Sequence, residues 1–140
     1  MLYRLLLTAM AVSLTATLGY SDQTRNTVVI PVHRTAPNNG HQMYSSYCAP
    51  CHGVDGRGQG QIASALKTRP TDLTLLSKNN RGRFPDTHIV TVLEFGIGNP
   101  AHRIAEMPAW GPILGKMNEP QDRLLRIRNL SSYLDSIQVR

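Results

Sequence analysis

Two thiols and an imidazole stand together in Cys48-Ala49-Pro50-Cys51-His52, with Gly53 next. The spacing is Cys-x-x-Cys-His, the pattern of c-type haem attachment. Two thiols at this separation can each add to one vinyl group of a single haem, and the adjacent His52 then lies under the iron as an axial ligand. Cys48 and Cys51 are the only cysteines of the 140-residue chain. A disulfide across two intervening residues is a redox-enzyme feature on a βαβ scaffold, and no such pattern surrounds the motif. Zinc needs about four ligands, usually as two paired sets, whereas this chain offers one cysteine pair and scattered histidines. Gly53, Gly56, Gly58 and Gly60 follow. They form a loop able to bend tightly and to approach a flat ligand closely. Without a following Gly-Lys-Ser/Thr, the phosphate-cradle reading of that loop is weak.

A second axial ligand must come from far down the chain. Met107 is the best candidate, opening Met107-Pro108-Ala109-Trp110-Gly111 in a loop-like stretch. A thioether is soft and neutral, and a Met/His pair raises the reduction potential. Met43 reads as core filler on a helical face, Met117 as a packing residue and Met10 as part of a leader. His33, His41 and His88 read as surface or tether residues. His102, five residues before Met107, is the rival ligand; a bis-His site would lower the potential.

The elements that must position these groups are helical. Met43, Tyr44 and Tyr47 lie three and four apart, which predicts a helix from about Gly40 to Cys48. Pro50 argues against helix continuing unbroken through the attachment loop. Thr71-Asp72 before Leu73, Leu75 and Leu76 reads as a capped short helix, and Asn79 to Arg83 as a turn. Pro85-Asp86 and Gly96 bracket a helix of about ten residues, despite its β-branched content. Residues 96 to 118 should be irregular. From Glu119 to Gln138, with Pro120 in the first turn, Leu124, Ile127, Leu130, Leu134 and Ile137 form one stripe.

Residues 1–21 read as a secretory signal. Arg4 supplies positive charge ahead of Leu5–Leu18, 14 residues without a charge. That run is shorter than the roughly 20 residues needed to span a bilayer. Cleavage after Gly19 or after Ser21 fits, and an uncleaved anchor is the alternative. Residues 22–39 read as an extended arm or tether lying on the domain, and residues 40–140 as the folded unit. The net charge of +6 becomes +5 without Arg4. This favours acidic partners or an anionic surface, but no dense Lys/Arg tract argues for nucleic acid. Aromatic residues are 6% of the chain, and a large prosthetic group would supply the missing apolar contact.

The order CAPCHG, a Gly-rich loop, RPTDLT, MPAWG and a terminal LRIRNLSSYL helix resembles a class I monohaem cytochrome c of the bacterial exported type, over residues 40 to 138. The resemblance implies an all-α fold with crossing N- and C-terminal helices and one covalent haem c in a crevice. Gly40 and Tyr44 would then meet the face carrying Leu130 and Tyr133. It also implies a proline carbonyl, matched by Pro70, accepting from Nδ1–H of the proximal histidine. Arg69 and Trp110 would be candidates for haem-propionate contact. The 18-residue arm before Gly40 and the scarcity of lysine depart from the minimal family pattern.

These readings predict a periplasmic one-electron carrier that transforms no substrate and meets redox partners, membrane respiratory complexes among them, through small, transient, salt-sensitive contacts. The alternatives are a fixed subunit of a respiratory complex, held by the arm or an uncleaved anchor, and a haem enzyme or gas sensor. The last requires an open or displaceable iron site.

Overall fold

The computed structural model describes residues 31–96, 107–117 and 121–139. The leader reading, residues 22–30 of the arm, His102 and the Pro120 turn lie outside the described residues. The described elements are helical, with no strand among them. In chain order they are α1 (Gly40–Met43), a π-helical turn (Tyr44–Cys48), α2 (Ala49–His52), 3₁₀ turns at Ala63–Ala65 and Leu73–Leu75, α3 (Leu76–Asn79), α4 (Asp86–Phe95), α5 (Trp110–Leu114) and α6 (Asp122–Ser136). No described helix is long and apolar enough to cross a membrane.

The first helical run enters the attachment motif, but not as an unbroken α-helix, in line with the expectation drawn from Pro50. It continues to His52 by widening. The Ala49 N–H bonds the Tyr44 carbonyl, five residues back. A proline ring in a regular α-helix clashes with the carbonyl four residues earlier. A π turn just before Pro50 spreads the carbonyls and lets the helix pass.

This run crosses α6 at close range. A Cβ on Gly40 would lie 2.2 Å from the Asn129 carbonyl oxygen and 2.9 Å from Tyr133 Cβ, so any larger residue forces the two helices apart. The Tyr44 and Tyr133 rings meet with centroids 5.0 Å apart. Met43, Tyr44 and Tyr47 are each at most 1% exposed. Together with Ile89 and Leu93 of α4, Trp110 and Leu114 of α5, and Ile127, Leu130 and Leu134 of α6, they form one core. The crossing expected between Gly40, Tyr44 and the Leu130/Tyr133 face is therefore present.

Asp72 caps the turn that follows it, accepting from Thr74 N–H at 2.9 Å. Helix α4 occupies the predicted ten residues, and Gly96 ends it with φ 85°. Helix α5 falls in a stretch expected to be irregular. On α6 the predicted stripe needs correction at its start: Leu124 is 52% exposed, while Arg126 is fully buried. The buried guanidinium donates to the Thr35 carbonyl at 2.9 Å and to Thr35 Oγ1 at 3.1 Å. Tyr47 Oη donates to the His33 carbonyl at 2.5 Å, and Asn129 reaches the Pro37 carbonyl at 3.2 Å. Residues 31–39 are thus strapped across the α1/α6 crossing by hydrogen bonds that a buried cation requires.

Candidate haem site

Cys48 and Cys51 lie within the helical run that carries the motif, and they are not joined in a disulfide. Burial, and secondarily the nearby Cys51, pushes the Cys48 thiol up to about 12. The chain after the motif turns back and bonds the carbonyls left open at the end of α2. Ile62 N–H reaches the Pro50 carbonyl at 3.1 Å, Gly60 N–H that of Cys51 at 3.0 Å, and Gly58 N–H that of His52 at 2.7 Å. These are orphan acceptors of a helix terminus, so the glycine loop locks the backbone of the attachment motif. A Cβ on Gly60 would come within 2.2 Å of the Pro50 carbonyl oxygen. At Gly60 the close approach of this loop is thus made to the motif's own backbone.

The His52 ring is oriented by one bond. Its Nδ1 lies 3.0 Å from the Thr71 carbonyl oxygen. A carbonyl only accepts, so Nδ1 carries the proton and Nε2 keeps its lone pair for a metal. Burial pushes the imidazole below its ordinary value, and the bond to Thr71 opposes that shift. Burial favours the neutral ring, and the bond to Thr71 orients it. The expectation for Pro70 is corrected by one residue. The Pro70 carbonyl faces Gly58, where a Cβ would lie 2.2 Å from it, and it is the next carbonyl that turns to the histidine.

Met107 is partly buried and packs against the core. Trp110 is 4% exposed, and its ring stacks on Tyr47 at a centroid distance of 5.4 Å and an interplanar angle of 27°. The contact the structure gives Trp110 is thus core packing beside Cys48. Arg69 is exposed and, with Lys67, lines an open cleft of about 530 Å³ along the glycine loop. His33, His41 and His88 are exposed. Met43 and Met117 are buried in the core, and Met117 Sδ lies 3.4 Å from Tyr47 Oη. Arg126 is the residue that sequence reasoning missed. Its signal was available, since position 126 falls four residues before Leu130 on the apolar stripe.

The donor set fits a covalently held haem: two thiols with two residues between them and no disulfide joining them, and a neutral imidazole with Nε2 available. No three His, Cys, Asp or Glu side chains among the described residues cluster as a metal site of their own. An all-helical fold with this motif at the end of its first helical run is that of a c-type cytochrome. Comparison with known proteins agrees. Residues 35–121 match the family described as cytochrome c oxidase, cbb3-type, subunit III, and the chain belongs to that family. Haem-based electron transfer is the chemistry of such a domain. No curated protein sequence matches the chain significantly. Among solved structures, the chain is similar to one in the reducing HAO-like protein complex of Kuenenia stuttgartiensis, at 26% identity and a TM-score of 0.46, over 76% of this chain and 45% of that one. This chain therefore spans less than half the length of that relative.

Proposed function

We propose that the protein is an exported one-electron transfer protein carrying one haem c, covalently bound through Cys48 and Cys51, with His52 and Met107 as axial ligands. The observation that carries this reading is the His52 ring, held by the Thr71 carbonyl at 3.0 Å in the tautomer that keeps Nε2 for iron, beside two unbridged thiols. When bound, the haem supplies a reversible one-electron couple. The chain's own contribution is positional. The glycine loop holds the backbone of the motif, the Thr71 carbonyl holds the tautomer, and the core around Tyr47 and Trp110 excludes water beside Cys48. A thioether from Met107 would complete the ligation without offering a substrate site and would favour the reduced state. Export to the periplasm is supported by the Arg4/Leu5–Leu18 pattern.

The visible spectrum of the purified protein in both redox states, with its intact mass, tests this. Both should report one haem per chain, and the near-infrared thioether–iron band should be present in the oxidised form. A colourless protein lighter by the cofactor's mass ends the reading. Export itself is read from the same mass, which should lack the leader.

A second reading is favoured by the family's description, which names an oxidase subunit. Here the protein is a fixed electron-entry subunit, with the segment ahead of the strapped residues 31–39 as its connection. High-salt washing of membranes separates the two. Release supports the free carrier, and retention supports the subunit.

A further inference from the structure

We propose that the Glu94–Arg123 ion pair is a clasp that holds the Met107 segment in place, making both residues positioning residues for the distal iron ligand. The inference rests on the reading of Met107 as that ligand.

Glu94 is the penultimate residue of α4, and Arg123 lies in the first turn of α6. Glu94 Oε1 and Arg123 Nη1 are 3.0 Å apart, with the side chains 11% and 44% exposed. Helix α5 runs beneath this bridge. A Cβ on Gly111 would find Glu94 as its three nearest atoms, the carbonyl oxygen at 2.6 Å and Cδ and Oε2 at 2.8 Å. A Cβ on Gly115, at the C-cap of α5, would meet Arg123 Cδ at 3.3 Å. Gly111 and Gly115 are four residues apart and so share one helix face. The ion pair lies across that bare face, rooted in α4 at one end and in α6 at the other.

The segment so covered leads directly to Met107. Trp110 opens α5 and stacks on Tyr47, the neighbour of Cys48. Just past Glu94, a Cβ on Gly96 would touch Ala109 Cβ at 3.5 Å. The end of α4 therefore contacts the chain on both sides of Trp110, within four residues of Met107. Glu94 Oε2 is buried without a hydrogen-bond partner. An apolar side chain would fill that space with less desolvation cost. What the carboxylate adds is a directional tie to α6 across the top of α5.

If the clasp holds the ligand segment, breaking it raises the population with Met107 displaced. The apparent affinity for an added ligand rises by the same factor. The experiment titrates imidazole into the oxidised holoprotein and follows loss of the near-infrared band. Compared with the unmutated protein, Glu94→Gln and Arg123→Ala should each raise the apparent imidazole affinity about tenfold. The double variant should add little to either, because the two residues act as one unit. Folded variants with lower melting temperatures but unchanged imidazole affinity would reduce the pair to packing and overturn the proposal, as would fully additive effects. If neither variant folds, hydrogen exchange of the unmutated holoprotein decides. Amides of α5 that open together with those of α4 and α6 support the clasp, and α5 opening alone at lower free energy overturns it. A band absent from the unmutated protein removes Met107 and the clasp together. A band present with unchanged imidazole affinity removes the clasp alone.

Discussion

The proximal and distal sides of the proposed iron site are built by different means. His52 ends a helix, its ring held by the Thr71 carbonyl and its own carbonyl bonded by Gly58 N–H at 2.7 Å. The bonds to its ring and to its carbonyl come from Thr71 and Gly58, both within 20 residues of it. Among the described residues, Met107 has no such local frame. Its segment is placed through Trp110 on Tyr47, Ala109 on Gly96 and Gly111 on Glu94, contacts that span most of the domain. The contrast teaches that the attachment side is fixed by short-range geometry. The distal side depends on how α4, α5 and α6 dock, and segments held in that way open at lower free energy.

The hardest way to break the comparison is at the attachment itself. Replacing Cys48 and Cys51 together by alanine should abolish covalent cofactor entirely, read as loss of colour and of the cofactor's mass. Next is Met107→Ala, which should leave haem attached but eliminate the near-infrared band and lower the midpoint potential. A variant that keeps the band would move the distal ligand elsewhere and dissolve the contrast.

Two smaller effects sharpen it. Arg126→Met leaves the Thr35 carbonyl buried without its donor, so it should cost about 1–3 kcal/mol in denaturant unfolding. It should also expose residues 31–39 to proteolysis. Because Arg126 braces the α1/α6 crossing and the strap, imidazole affinity should stay unchanged. Tyr44→Phe removes a bond to the Gly53 carbonyl at 2.6 Å and should cost about 1 kcal/mol at neutral pH. Burial pushes the Tyr44 phenol well above its ordinary value. Its neutral form is therefore favoured by folding, a contribution complete below about pH 10 and lost as pH rises toward the folded value. Tyr44→Phe should accordingly flatten the alkaline loss of stability, measured as melting temperature against pH.

Local chemistry made much of this legible before any fold was known. The attachment spacing, the Asp72 cap, the ten residues of α4 and the buried face of Met43, Tyr44 and Tyr47 are each written in a few consecutive residues. The misreadings share one cause. Trp110-Gly111-Pro112-Ile113-Leu114 has poor intrinsic helix propensity, and α5 forms because its glycine face is covered by Glu94 and Arg123. Arg126 reads as a solvated cation until Thr35 folds back over it.

By itself the sequence determined the Cys-x-x-Cys-His spacing on which the proposed attachment rests, because that reach depends only on residues next to one another. Periodicity also placed most of the helical runs, while the all-α class and the crossing at Gly40 were implied by the resemblance to class I monohaem cytochromes c. Only the tertiary structure decided that Thr71, not Pro70, orients the imidazole, because which of two successive carbonyls turns inward depends on packing of the glycine loop. It likewise decided that a cation belongs in the core and that a short helix follows Met107. A buried charge and a weak helix are both stable only once distant partners have arrived.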